Sequence, residues 1–535
     1  MKRLERASGA SRGKPKQWRV DLAIPASNSQ PDPALVASNR FGLGAKPGDR
    51  DRIAGDPRGY LKTELRQPDI AMISLDDPAY ASLLGSTPAI QASMAANVQR
   101  KLERERMAAA QPAMATASVQ EMPAQATPAR SKPVQPKPAQ SAPTQAAPAQ
   151  PMPSPAAPAK TAVPPVEARL FRAEAQARFD KAFRAEAGFV ERLVYFWSNH
   201  FCVSAAKGPI VRASAGAFER EAIRPFVLGR FADMLMAVER HPAMLFYLDN
   251  QQSIGPDSRA GRNRQRGLNE NLAREILELH TLGVGSGYSQ ADVTSFARIL
   301  TGWMMAGREG RLGEPGSSVF NANAHEPGDA VLLGKTYPAA GMGQAEAALN
   351  DIARHPATAQ HIATELVRHF IADEPPPAAV ARLAKLFTRS DGNLRALATA
   401  LIDMPEAWST PLTKMRSPFD YIVAIRRAAG PGPANDPGQL LNWLNALGEP
   451  LWQPPGPNGF SDQADSWASA EGMKIRLDIA WQAARQVKDI GNPSDMLDVV
   501  IGPSASPETR QAVARAESKQ QGLALLLMAP EFQRR

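Results

Sequence analysis

The stretch Asn269-Glu270-Asn271-Leu272-Ala273-Arg274-Glu275-Ile276-Leu277-Glu278-Leu279-His280-Thr281-Leu282-Gly283 opens on a helix-capping residue. It closes on glycine, which takes the left-handed conformation that ends helices. Between them Ala273, Ile276, Leu277 and His280 recur at three- and four-residue spacing, opposite Glu270, Arg274, Glu275 and Glu278. That pattern predicts one amphipathic helix over 269–282, and its recurrence elsewhere predicts an all-α protein.

Just downstream, Ser289 and Asp292 form a capping box, so the next helix runs to Thr301 and stops at Gly302. Upstream, Leu193, Phe196, Trp197 and His200 share one face of a helix expected over 173–201. A helix pair is expected over 219–239, broken at Pro225 or Gly229, and Pro242 stands where proline opens another helix. Further helices are expected over 345–355, 358–371, 377–388, 394–404, 419–429, 439–447 and 471–488. One region departs from this pattern. Over 317–337, Glu326-Pro327-Gly328-Asp329 lies between Val319-Phe320 and Val331-Leu332-Leu333, the signature of a short β-hairpin or extended loop.

With 535 residues and 43% apolar side chains, the chain can bury at least one large core. Over 131–160, however, 21 of 30 residues are Pro, Ala or Gln, too few apolar groups to offset the entropy of ordering. The expected organisation is a flexible segment over 1–32, a first part of a helical domain over 33–107, a disordered insert over 108–165, and the main part over 166–535. A charged helix over 89–110, solvated on most faces, leads into the insert. Residues 1–20 lack the apolar core of a secretory signal, and no stretch approaches the ~20 apolar residues that span a bilayer. The cytoplasm is therefore the expected compartment.

The single cysteine, Cys202, excludes an internal disulfide and a multi-thiolate zinc site. It follows His200 by two residues, which on a helix turns the two side chains roughly 200° apart, so they form no dyad. The formal charge of +9 is concentrated in places such as Arg259, Arg262, Arg264 and Arg266. That loop suits an acidic protein partner. Short basic loops are more often simply solvated, and no nucleic-acid-binding motif accompanies this one, so nucleic acid is not expected as a partner.

Seven histidines are few enough to weigh singly. His200 and His280 each fall on the apolar face of a helix, and His325 lies beside Glu326 at the irregular turn. A divalent metal (zinc, manganese or iron) held by His200, His280 and His325 with Glu275 or Glu278 would satisfy ligand chemistry. No His-Glu-x-x-His or Glu-x-x-His motif supports it. Taken singly, each histidine is equally well a core residue bonded to a carbonyl or carboxylate. Glu270, Arg274 and Glu278 are likewise spaced for intrahelical ion pairs. His241-Pro242-Ala243 and His355-Pro356-Ala357 read as a cap followed by a first-turn proline. There is no phosphate loop, nucleophile elbow or dinucleotide fingerprint.

Several phrases resemble the bacterial family catalogued as domain of unknown function 1800. They are Asn39-Arg40-Phe41-Gly42-Leu43-Gly44, Phe196-Trp197-Ser198-Asn199-His200-Phe201, His241-Pro242-Ala243-Met244-Leu245-Phe246-Tyr247-Leu248-Asp249-Asn250, the opening stretch, and Ala297-Arg298-Ile299-Leu300-Thr301-Gly302-Trp303. The resemblance runs from about Pro33 to the carboxyl end and implies one domain carrying the low-complexity stretch as an insertion. It also implies a site shared around His200, Asp249, Asn250, Asn269, Glu270, Asn271, His280 and Trp303, and it names no reaction. The chain departs from the pattern in showing no export signal, where many relatives look exported, and in carrying Cys202 where relatives more often have Thr.

Two functional readings follow. One is an enzyme whose site lies between the helices of His200 and His280, with Glu270, Arg274, Glu275 and Glu278 as acid–base or metal-ligating groups; metal-assisted hydrolysis or redox chemistry is its class. The other is a non-enzymatic scaffold in which the same groups close on each other. An enzyme should open a pocket where His200, Glu278 and His280 converge, and a scaffold should bury them in ion pairs.

Overall fold

The computed structural model describes residues 31–110, 163–262, 267–430, 437–487 and 490–535. Most of the expected amino-terminal segment, the bulk of the expected insert, and Arg264 and Arg266 lie outside them. Among the described residues the chain is predominantly α-helical with two small two-stranded sheets. One buried apolar cluster extends from Ala34 to Phe532.

The helices fall close to their expected places: Met342–Ala353, Pro356–Phe370, Pro377–Arg389, Leu394–Asp403, Pro418–Ala428, Pro437–Ala446 and Ala470–Gln486. The Ser289 capping box is present at the start of Gln290–Leu300, and Gly302 follows it with φ 89°. His241 Nδ1 accepts the Ala243 N–H at 3.1 Å and His355 Nδ1 the Ala357 N–H at 3.2 Å, so both His-Pro pairs are caps.

Three expectations need correction. The helix expected over 173–201 is two, Val166–Arg184 and Phe189–His200, because Gly188 takes φ 82° between them. The second helix begins against a buried carboxylate: Glu64 accepts the N–H groups of Gly188 (3.0 Å), Phe189 (2.7 Å) and Val190 (3.0 Å). These are the donors a helix cannot satisfy internally, and Glu64 sits at the positive end of the dipole. Second, the helix of the opening stretch, Asn271–Glu275, widens into a π-helical turn over Ile276–His280.

The third concerns the expected hairpin over 317–337. β1 (Trp303–Met305) pairs with β2 (Ser318–Phe320), and β3 (Ala330–Leu332) pairs with β4 (Lys335–Tyr337). The turn between the last two is Leu333-Gly334, both at positive φ, which matches the right-handed twist of a two-residue hairpin. Glu326 closes no hairpin because it is engaged elsewhere. Its N–H donates to Thr301 Oγ1 at 2.8 Å, and its carboxylate accepts the Asp257 N–H at 2.9 Å.

The helix leading to the expected insert, Ser86–Ala110, is less solvated than its composition suggests. Its first turns bury Ala89, Ile90 and Ser93 against Val166–Arg184 and Pro209–Phe218.

Much of the core's rigidity comes from buried arginines that serve backbone carbonyls. Arg40 donates to Ala407 O and, at 2.8 Å, to Pro411 O; Arg192 donates to Gly42 O; Arg416 donates to Phe532 O at 2.9 Å and Asn39 Oδ1 at 2.7 Å. The phrase Asn39 to Gly44 is thus a structural hub. A Cβ at Gly42 would lie 2.2 Å from Ala187 O, so only glycine lets the two backbones meet there.

Candidate functional site

A cleft of about 410 Å³ opens between Phe189–His200, Pro356–Phe370 and the loop carrying Asp462. Phe189–His200 contributes Asn199 and His200, and Pro356–Phe370 contributes His361, Glu365 and His369. His361, Glu365 and His369 stand four residues apart, so a single helix face points two imidazoles and a carboxylate toward the opening.

Each of the three imidazoles has an acceptor behind it. His200 Nε2–H donates to His280 O at 3.2 Å, and His361 Nε2–H donates to Leu279 O at 3.1 Å. These neighbouring carbonyls lie at the carboxyl end of the π turn, where intrahelical partners run out. A carbonyl only accepts, so on both rings the Nε2 that faces it carries a proton, and in neutral His200 the lone pair is on Nδ1. His369 is oriented the other way. Its Nδ1 lies 3.0 Å from Asp462 Oδ2, and its buried Nε2 has no partner among the described residues. Ring centroids of His200 and His361 lie 6.1 Å apart, and Phe196 packs against both His200 (6.0 Å) and His369 (5.3 Å).

Burial lowers His200 well below the usual imidazole range, and the neighbouring His361 and His280 lower it further. Burial also pushes His369 down to about 4, against the pull of Asp462. For Asp462 burial acts upward, but His369, Lys414 and Arg535 more than reverse it and hold the carboxyl well below its ordinary range. At neutral pH His200 and His369 are therefore neutral bases and Asp462 is ionised.

Of the residues expected from sequence, only His200 lines this cleft. His280 stands beside it, ring centroids 6.3 Å apart, but is fully buried, with Nδ1 2.8 Å from Glu239 Oε1. Among the described residues its Nε2 and Glu239 Oε2 are without hydrogen-bond partners. His325 stands apart from this pair; its Nδ1–H donates to Thr301 O at 2.8 Å and its ring meets Phe320 edge-on. Among the described residues no group of three or more His, Cys, Asp or Glu side chains is arranged to hold a metal ion, so His200, His280 and His325 form no ligand set.

Arg274 bridges Glu270 at 3.2 Å and Glu278 at 3.3 Å. Glu270 also accepts from Gln290 and Thr294, which ties this helix to Gln290–Leu300. Glu275 is half-buried, and burial raises its carboxyl. Asp249 pairs with Lys207 at 2.6 Å, and Asn250 clamps the turn after Gln290–Leu300 by donating to Leu300 O (3.2 Å) and Trp303 O (2.8 Å). Asn269 Oδ1 accepts the Asn271 N–H at 3.0 Å, which makes it a cap. Trp303 is buried in β1. The Cys202 thiol is pushed up to about 12 by burial and faces Pro457 O at 3.3 Å, so it is a small core residue.

The cleft residues missed in sequence are His361, Glu365, His369 and Asp462. The four-residue spacing of the first three was visible in a helix placed correctly, whereas Asp462 lies in a Pro/Gly/Trp-rich loop with no pattern to mark it.

Behind the cleft wall, Glu449 accepts the Tyr195 hydroxyl at 2.7 Å and the Phe419 N–H at 2.8 Å, and burial raises its carboxyl to about 7. A folded-state value above the unfolded one means the folded protein holds more protons, so this group costs stability as pH rises through about 4.5 to 7. His369 runs oppositely: its depressed value stabilises above the ordinary imidazole range, and that stability is lost as pH falls toward 4. Each slope amounts to roughly 3 kcal/mol, so in the wild type they largely cancel. Glu449→Gln removes one of them. Its stability relative to wild type is expected to improve by about 3 kcal/mol between pH 5 and pH 8, on top of a pH-independent offset from facing an amide NH₂ to the Phe419 N–H. Denaturant melts at both pH values check this, and parallel curves for the two proteins would disprove it.

A family model described as "Protein of unknown function (DUF1800)" matches residues 36–534. No curated protein and no solved structure matches the chain.

Proposed function

The chain belongs to the DUF1800 family, and from that premise we propose that it is an enzyme whose acid–base chemistry takes place in the cleft of His200, His361 and His369. The observation that carries this reading is the His369–Asp462 pair on the lining of the cleft, with Nδ1 fixed on the carboxylate and Nε2 buried and without a hydrogen-bond partner among the described residues. A carboxylate behind an imidazole selects its tautomer and stabilises the cation formed when the ring takes a proton. His369 is the general base of this reading. It removes a proton from a water or substrate hydroxyl as that oxygen attacks, then returns the proton to the leaving group. Hydrolysis is the class this supports. His200 positions the attacking oxygen through its Nδ1 lone pair, and His361 lines the cleft beside it.

Screening the purified protein against p-nitrophenyl esters, phosphates and glycosides is the direct test. Turnover on one class is expected, with His369→Gln losing roughly 10²- to 10⁴-fold while its melting temperature stays near that of the wild type. A folded His369→Gln protein with undiminished turnover would sink the proposal.

A second reading, a scaffold that docks an acidic partner, is favoured by the closed pairs Glu270–Arg274–Glu278 and His280–Glu239. It expects no turnover on any class, and retention of the wild type on an acidic polypeptide support that survives His369→Gln.

A further inference from the structure

The wall of the cleft is backed by buried charge that none of the acid–base steps uses. Arg535, 2% exposed, lies at its centre. Its backbone N–H donates to Lys414 O at 2.8 Å, its Nη1 donates to His369 O at 2.7 Å, and its Nη2 reaches Asp462 Oδ1 at 3.3 Å. Its Nε lies 2.9 Å from Asp420 Oδ2, and the same oxygen pairs with Arg192 Nη1 at 2.8 Å. Arg192 belongs to Phe189–His200 and His369 to Pro356–Phe370. One guanidinium therefore joins both helical walls of the cleft and the loop that carries Asp462.

We infer that Arg535 is the positioning residue of the His369–Asp462 pair, holding the His369 backbone and the Asp462 carboxylate on one planar fork so that the ring keeps its orientation in the cleft. The inference rests on the reading of that cleft as an acid–base site. Lys414 does not duplicate the function. It donates to Asp462 O at 2.8 Å and lies 3.8 Å from Oδ2, supplying charge, but it is a point donor without a second arm to His369. The charged and titratable groups around the His369 ring are Asp462, Arg535, Arg192 and Tyr195, with Lys414 against Asp462.

The test is nuclear magnetic resonance of the full-length protein labelled with ¹³C,¹⁵N-histidine, with His369→Gln assigning its signal among the seven histidines. The wild type is expected to show an Nδ1–H tautomer that stays neutral to well below the ordinary imidazole range. In Arg535→Gln, removing a cation near the ring should raise its titration midpoint by about one pH unit, and the two tautomers should mix. Arg535→Lys should keep the low midpoint yet still mix the tautomers. An Arg535→Gln protein that melts cooperatively with an unchanged His369 signal overturns the inference. If that variant does not fold, an unmixed tautomer in Arg535→Lys overturns it equally. So does a wild-type ring found as the Nε2–H tautomer. None of these readouts needs a substrate, so absent turnover would count against the enzymatic reading alone, and an unchanged ring signal against the role of Arg535 alone.

Discussion

Arg427→Met is expected to cost about 5 kcal/mol or more, enough to leave little or no folded protein against a typical total of ~5–15 kcal/mol. The residue is 2% exposed and its hydrogen bonds go to backbone: Nε to Gly44 O at 2.7 Å, Nη1 to Ala182 O at 3.2 Å and Ala185 O at 2.6 Å, Nη2 to Glu186 O at 2.8 Å and Ala187 O at 3.4 Å, with the buried Asp49 carboxylate 3.9 Å from Nη2. Val166–Arg184 ends here, where carbonyls lack intrahelical partners, so Arg427, joined by Lys46 Nζ on Ala185 O at 2.9 Å, caps this helix from Pro418–Ala428 with a cation at the negative end of the dipole. Methionine fills most of the volume, which makes the loss mainly polar: several buried carbonyls would be left without donors at ~1–3 kcal/mol each. Arg427→Lys should fall in between, since one ammonium cannot fan out over five oxygens. Solubility and denaturant melts decide it. A Met variant within about 1 kcal/mol of the wild type would show that these carbonyls find water instead.

Helix positions were legible because periodicity and caps are local. Ser289, His241, His355 and Gly283 behave as short-range chemistry says they should, and Gly188, which breaks an expected helix at φ 82°, was hidden by the apolar pattern that resumes after it. The buried arginines were not legible. A guanidinium reads as surface in any window of sequence, and the carbonyls that make Arg427 or Arg40 internal lie hundreds of residues away in the chain. The cleft was legible only in part for the same reason. Glu270, Arg274 and Glu278 looked chemical because they were concentrated in one phrase, yet their spacing is that of an ion-pair ladder, and they form one. His200 was placed correctly as an inward imidazole near His280. What it meets at the opening comes from Pro356–Phe370 and from Asp462, which no local pattern connects to it.

Glu219→Leu is expected to destabilise by about 3–5 kcal/mol, chiefly through the cations it would leave behind. Glu219 Oε2 accepts from Arg178 Nη1 at 2.6 Å, Ser198 Oγ at 3.0 Å and Trp452 Nε1 at 3.2 Å, while Oε1 accepts from Arg224 Nε at 3.0 Å. Burial would raise this carboxyl, but Arg178 and Arg224 outweigh it and hold it below its ordinary range, so the site is ionised and fully occupied. Leucine removes the anion and not its partners. Arg224 keeps Glu191 at 2.9 Å, whereas among the described residues Arg178 keeps the ring faces of Phe419, Trp452 and Tyr195, 4.8, 5.4 and 6.0 Å from its guanidinium carbon. The stranded charge is therefore mainly that of Arg178, which makes a double-mutant comparison decisive. If desolvated charge dominates, adding Arg178→Leu to Glu219→Leu should recover a substantial part of the loss, because well-packed apolar replacements of a buried pair are often close to neutral. If the lost hydrogen bonds of Ser198 and Trp452 dominate, the second substitution should only add to the damage. Ser198 sits two residues before His200, so the first outcome would also mean that the cleft helix is held in place mainly by balanced charge beneath it.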